Sequence, residues 1–483
     1  MGQEDKGYLL EGIEPRAALS FFEDVTRIPR GSTNEKEICD YLMAFAAARG
    51  LEAVCDAWWN VCIKKPGQGR NAAAAPVALQ GHTDMVCEKN SGVEHDFLRD
   101  PIPYYRDGDW VRARGTTLGA DNGVAVAMML GILDDQTTPH PPLECLFTSQ
   151  EELGLDGARH VPAEWVKARR LINLDAGPEG TAIVGSAGGI LTTLRLPCQM
   201  EPCEQKALRI GVTGLTGGHS GSDIAQDRAN ANKLLAHLLC AAREMTALRL
   251  VEISGGSKDN AIPREAFATI AVHDVAAAQE ASSALFDELR ADYAATDPLM
   301  TLVLEPCQAT CCMDETATNA LLDLLTLLPN GVQRWDKALD CTLASENLGV
   351  VATREGEVSI LCSIRSASDS AQRELVARNQ LLAKTFGAAF DLSNEYPSWP
   401  YQENAPLREL CAQLYREQTG KTLVCKTTHG GLECGLFLAK WPDLDILAIG
   451  CDSVAHHSLD EALNLPSFER VYEFVKLLLC KLQ

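Results

Sequence analysis

Apolar and polar positions along the chain fall into two textures. In the first 186 residues, short apolar runs bounded by glycine and polar clusters alternate with stretches whose apolar residues recur three and four apart. The runs read as buried strands and the stretches as amphipathic helices. Residues 15–50 carry the helical pattern, with Ile38, Leu42, Phe45 and Ala46 on one face, Ser32 or Thr33 as the expected cap and Gly50 as the stop. Strands are expected at 51–64, 77–86, 142–148 and 170–175, and an apolar helix at 124–133. This alternation predicts an α/β domain with a mostly parallel, mixed sheet flanked by helices.

From residue 187 to residue 400 the texture changes. Strand-like pieces at 190–196, 207–213, 249–254, 265–273, 300–304 and 357–364 are interleaved with long amphipathic helices near 222–247, 275–292, 314–328 and 369–387. The α/β texture returns over 401–483, with a strand at 445–449 and a final helix from Ser467. The expected organisation is one domain in two parts, 1–186 and 401–483, interrupted by an inserted α+β domain, 187–400. A chain of 483 residues is too long for a single core, in keeping with that division.

Composition narrows the partners. With 46% hydrophobic and 23% charged residues the chain reads as globular and soluble. A net charge of −23 opposes binding to nucleic acid or to an anionic membrane. No apolar run approaches the ~20 residues of a membrane span, and the polar start Met1-Gly2-Gln3-Glu4-Asp5-Lys6 does not read as a signal peptide. The 18 cysteines are scattered among apolar neighbours without a Cys-x-x-Cys pair. They read as buried free thiols, so a cytoplasmic location is expected.

Chemistry enters at the ends of the expected strands. Val77-Ala78-Leu79-Gln80-Gly81-His82-Thr83-Asp84 brings His82 and Asp84 to one strand end; Asp121 sits in a glycine-rich turn at 115–123; Glu151-Glu152 and Asp175 follow the next two apolar runs. In sheets of this class ligands gather at the carboxyl ends of the strands, so these residues are expected in one site. The glycine-rich turn lacks Gly-x-Gly-x-x-Gly and Gly-Lys-Ser/Thr, and Asp121 would repel phosphate while suiting a cation. Three acids and two histidines suit two zinc-like ions. His82 and Asp175 are assigned to one ion, Glu152 and His457 to the other, with Asp121 as the bridge. Two ions ~3.5–4 Å apart can share a hydroxide and polarise a carbonyl together. Glu151 is left without a metal, placed to take a proton from water and pass it to a leaving amine. Asp84 is expected to orient His82. No Gly-x-Ser-x-Gly elbow suggests a serine nucleophile instead.

The run 79–89, the 115–123 turn, Glu151-Glu152, Leu174-Asp175, Gly217-Gly218-His219-Ser220-Gly221 and Asn260-Ala261-Ile262-Pro263-Arg264-Glu265 resemble the aminoacyl-histidine dipeptidases. These are also called peptidase D or cytosol non-specific dipeptidases, in the wider group that includes carnosinases and aminoacylases. The resemblance covers nearly the whole chain in order. It implies a di-zinc catalytic domain interrupted by a lid domain, and it supports His82, Asp121, Glu152, Asp175 and His457 as ligands with Glu151 as base. His457 is preferred over His456 because the family pattern, a histidine followed by serine and an acidic pair, fits His457-Ser458-Leu459-Asp460-Glu461. This chain has Leu459 where proline is usual, Thr83 where leucine is usual, and Ala176-Gly177 where polar and acidic residues are more frequent; none of these removes a ligand.

In the inserted domain His219 is a candidate donor to the oxyanion, a helix cap being the competing reading. Asn260 and Arg365 are candidates to clamp a substrate carboxylate, against a buried structural pair. Glu433 is a candidate receiver of a free α-ammonium, against helix capping. The expected activity is cleavage of dipeptides with a free N-terminus, Xaa-His included. A deacylase or longer-peptide aminopeptidase with the same metals, and an inactive binding homologue, are the alternatives. Zn²⁺ is the expected metal, Mn²⁺ and Co²⁺ being tolerated by the same ligands. Both a monomer and a homodimer remain open.

Overall fold

The apolar runs Leu143–Thr148, Val77–His82, Arg170–Asn173 and Asp445–Ile449 lie side by side and run parallel. Every residue of the first two is buried, as strands covered on both faces require. In the computed structural model, which describes residues 7–483, these four strands form the middle of an eight-stranded sheet. Val61–Lys65 and Glu52–Cys55 extend it antiparallel at one side, and Thr181–Ser186 turns antiparallel against Asp445–Ile449 at the other, with Val424–Thr428 beyond it. The helices Arg16–Thr26, Ala120–Asp134 and Leu465–Lys481 supply Phe22, Val25, Met129, Leu130, Phe468 and Val475 to the same core as Leu79, Phe147 and Ile172. Ala120–Asp134 is apolar on almost every side because almost every side is buried.

The chain divides into two units. The first runs to Gly185 and resumes at Tyr401–Thr427 and Leu432–Gln483; the second is Ser186–Pro400 with Thr428–Gly431. That four-residue segment goes with the second unit, whereas the sequence pattern assigns it to the last part of the first.

The second unit is built on a nine-stranded sheet whose neighbouring strands all pair antiparallel. Its core sets Leu208, Ile210, Ile270 and Ile360 from the sheet against Leu235, Leu239, Leu321 and Leu325 from the helices Ala231–Met245 and Glu315–Leu327. Val275–Asp292 and Asp369–Phe386 complete the helical layer.

Several local expectations need correction. The helix expected near 222–247 is a short 3-10 turn, Ile224–Gln226, followed by Ala231–Met245. Asn230 is extended and its side chain accepts the amides of Asn232 and Lys233, so the helix starts there. Ser32 and Thr33 do not cap the second helix: it begins at Lys36, and Ser32 Oγ donates instead to Asp84 Oδ2 at 2.8 Å. The strands Gly331–Asp336, Cys341–Arg354 and Ala389–Tyr396 lie outside the strand pattern of the sequence. Among the described residues no helix is long and apolar enough to cross a membrane.

Candidate metal centre

The four parallel strands of the first unit end on one side of their sheet, and each end, or the loop after it, carries part of the expected constellation. His82 is the last residue of Val77–His82 and is 1% exposed. Its Nε2 lies 3.0 Å from Asp121 Oδ1 and 3.7 Å from Asp175 Oδ1. Asp121 opens the helix Ala120–Asp134 with non-helical φ and ψ, which lets its carboxylate turn back over the strand ends. Its other oxygen, Oδ2, lies 3.3 Å from His457 Nε2, and His457 Nε2 lies 2.8 Å from Glu152 Oε1. Ligand atoms of His82, Asp121 and Asp175 lie within 4.8 Å of one another, and so do those of Asp121, Glu152 and His457. One carboxylate thus belongs to both groups, one oxygen facing each.

Asp84 lies just past the strand end, and the turn still brings Oδ1 within 3.2 Å of His82 Nδ1. The same carboxylate accepts the amides of Glu151 at 3.0 Å and Glu152 at 3.3 Å. Glu151 groups with His82 and Glu152 in a third cluster. Burial pushes its carboxyl well above the usual range; His82 opposes this, and Glu152, Asp175 and Glu433 reinforce it. Burial likewise raises Asp175 well above its ordinary value. For Asp121 burial is outweighed by hydrogen bonds from His457 and His82, which hold the carboxyl well below its ordinary value. Asp121 and then Glu152 push His457 up to about 10.

The donor set fits divalent cations. Asp121, Glu151, Glu152 and Asp175 converge on two imidazoles, a concentration of carboxylates that divalent cations would offset. Imidazole nitrogen with carboxylate oxygen is the donor chemistry of a zinc-like site that leaves positions open. The geometry could hold one ion among His82, Asp121 and Asp175 and another among Asp121, Glu152 and His457.

Glu433 is fully buried, accepting from Gln80 Nε2 at 2.5 Å and Thr148 Oγ1 at 2.8 Å, with Oε1 unpartnered. It precedes the helix Cys434–Lys440 without making a side-chain cap, so helix capping is not its role. Burial pushes its carboxyl up to about 7. His456, given no role from sequence, has Nδ1 3.4 Å from Asp121 Oδ2, while its Nε2 faces Ser453 Oγ at 2.7 Å.

The second unit gathers the remaining candidates. His219 and Asn260 lie on neighbouring segments, His219 pairing with Ala261 and Ser220 N donating to Asn260 O. His219 Nδ1 accepts from the amides of Gly221 and Ser222, both at 3.2 Å, which leaves Nε2 as the protonated nitrogen of the neutral ring. Those contacts stand in a turn well before the helix at Ala231, so His219 does not cap that helix. Arg365 is 9% exposed; Nη1 donates to Tyr396 OH at 3.0 Å and Nε has no partner. Its strand partner Ser345 meets His429 Nε2 at 2.8 Å. Burial, then Arg365, lowers His429 to about 3, so that ring is neutral. His429 carries no sequence signal, because its hydrogen-bond partner Ser345 lies 84 residues earlier in the chain.

Residues 78–481 match the profile of Peptidase family M20/M25/M40. The chain is 37% identical over 464 residues to the cytosol non-specific dipeptidase of Escherichia coli (strain K12), covering 95% of this chain and 96% of that protein. Among solved structures, the aminoacylhistidine dipeptidase of Vibrio alginolyticus superposes with a TM-score of 0.85 at 33% identity, covering 98% of both chains. The aminopeptidase PepT of Bacillus cereus shares the fold, with a TM-score of 0.56 at 15% identity over 97% of this chain and 99% of that one. The chain belongs to Peptidase family M20/M25/M40 and is a peptide hydrolase.

Proposed function

We propose that this chain hydrolyses dipeptides with a free N-terminus, Xaa-His among them, in the cytoplasm. His82, Asp175 and Asp121 would hold one divalent cation, and Asp121, Glu152 and His457 a second, Zn²⁺ being the expected metal. The observation that carries this reading is Asp121, whose Oδ1 lies 3.0 Å from His82 and whose Oδ2 lies 3.3 Å from His457. The names of the relatives from Escherichia coli and Vibrio alginolyticus support the dipeptide as substrate.

Bound cations supply Lewis acidity, polarising the scissile carbonyl and making water more acidic. Glu151 takes a proton as the water oxygen adds to the carbonyl carbon, and returns it to the amine nitrogen as the C–N bond breaks. Asp84 fixes the imidazole of His82 through Nδ1. His219 presents an Nε2–H to the carbonyl oxygen, Arg365 and Asn260 take the C-terminal carboxylate, and Glu433 takes the α-ammonium. Gripping both termini would restrict the enzyme to dipeptides. Hydrolysis of Ala-His, of Ala-His with an acetylated N-terminus and of a tripeptide tests the reading. Cleavage of the free dipeptide alone supports it, and preference for the acetylated compound would make the chain a deacylase.

A further inference from the structure

The candidate ligands sit on separate loops, and two buried side chains tie those loops together. Glu461, four residues after His457, is 2% exposed. Its Oε2 accepts the amides of Leu118 and Gly119 at 2.8 and 2.9 Å, and its Oε1 accepts the amide of Asp121 itself at 3.1 Å. Arg30, 1% exposed, donates from Nη1 to the carbonyls of Thr83 at 2.9 Å and Asp84 at 3.1 Å, and from Nη2 to the carbonyl of Gly119. The loop is shaped around this guanidinium. A Cβ at Gly119, whose φ is +71°, would stand 2.5 Å from Nη2, and one at Gly123 2.7 Å from it.

We propose that Glu461 and Arg30 are positioning residues for the metal pair. Glu461 locks the Asp121 loop to the turn that carries His457, and Arg30 locks the Asp121 loop to the segment that carries His82. Together they set the separation of the two histidines that share Asp121. The proposal rests on the metal-site reading above. The physical reason is pre-organisation: a bridging carboxylate serves two cations only if both histidines keep their distances from it, and backbone hydrogen bonds to buried charged groups hold such distances well. Both side chains act on backbone groups of the loops and not on the candidate ligand atoms themselves.

Glu461→Gln keeps the volume but offers one oxygen where three amides need two, and turns an NH₂ group toward N–H donors. Arg30→Lys keeps the charge but cannot span three carbonyls. The full chain, stripped with a chelator, is titrated with Co²⁺ by calorimetry and visible absorption, with far-UV circular dichroism as a check of fold. The expected result is Co²⁺ affinity weaker by roughly 10–100-fold in both variants, together with a changed d–d absorption band. A purely structural role would leave that band unaltered in the folded variant. Wild-type affinity and spectrum in either folded variant would overturn the proposal. If Glu461→Gln does not fold, Glu461→Asp, one methylene short, is read in the same titration against the same two outcomes. A wild-type chain that takes up no Co²⁺ would overturn the metal-site reading itself, and the proposal with it.

Discussion

Asp84 Oδ1 lies 3.2 Å from His82 Nδ1, and the same fully buried carboxylate accepts the amide of Glu151 at 3.0 Å. One acid therefore orients a candidate ligand and anchors the loop of the candidate base. Asp84→Asn is expected to lower metal affinity or hydrolysis by roughly 10–100-fold. Metal content and rate measured on the same folded sample check this, and wild-type values for both would remove Asp84 from the site.

Chelation should abolish hydrolysis and also lower the melting temperature, because cations that bind the folded chain but not the unfolded one stabilise it by mass action. Calorimetric scans of the stripped and Zn²⁺-reconstituted chain read the difference. Identical melting curves would argue that Asp121, Glu151, Glu152 and Asp175 sit together without a metal partner.

Much of the first unit is legible from its sequence. Strands such as Val77–His82 and Leu143–Thr148 are uninterrupted apolar runs, and the acids follow them directly, so pattern and chemistry coincide. The second unit is harder to read. Cys341–Arg354 lies inside its sheet yet carries Ser345, Glu346 and Asn347 buried, which breaks the apolar signal. Glu346 Oε1 accepts from Asn379 on the helix Asp369–Phe386, and Asn347 donates to the carbonyls of Asp259 and Ala261. Arg30 and Glu461 escape for a related reason: their partners are backbone groups, which leave no mark in residue identity.

Glu346, in the second unit, titrates with a sign that can be tested. Burial pushes its carboxyl up to about 8 against an ordinary value of 4.5. The folded chain keeps a proton there that the unfolded chain releases, so this contribution is fully present below about pH 4.5 and is lost as pH rises through about 8. Glu346→Gln, which mimics the protonated acid, should lessen the fall in stability between pH 5 and pH 9. Urea midpoints at those two pH values test it. A fall as steep as that of the wild type would contradict the protonated state of Glu346.

Arg365 is proposed to take the substrate carboxylate, a contact on the order of 1.5–3 kcal/mol for a charged hydrogen bond. Arg365→Lys should raise KM for a free dipeptide by about tenfold or more while changing kcat less. A C-terminally amidated dipeptide should be cut equally by variant and wild type. An unchanged KM for the free dipeptide would leave Arg365 as a structural partner of Tyr396.

Glu151→Gln, assayed for Ala-His hydrolysis with metal content measured on the same sample, bears most directly on the mechanism. About two metals per chain with a rate lower by roughly 10²–10⁴-fold is the expected result. Wild-type speed in that variant would contradict Glu151 as the base.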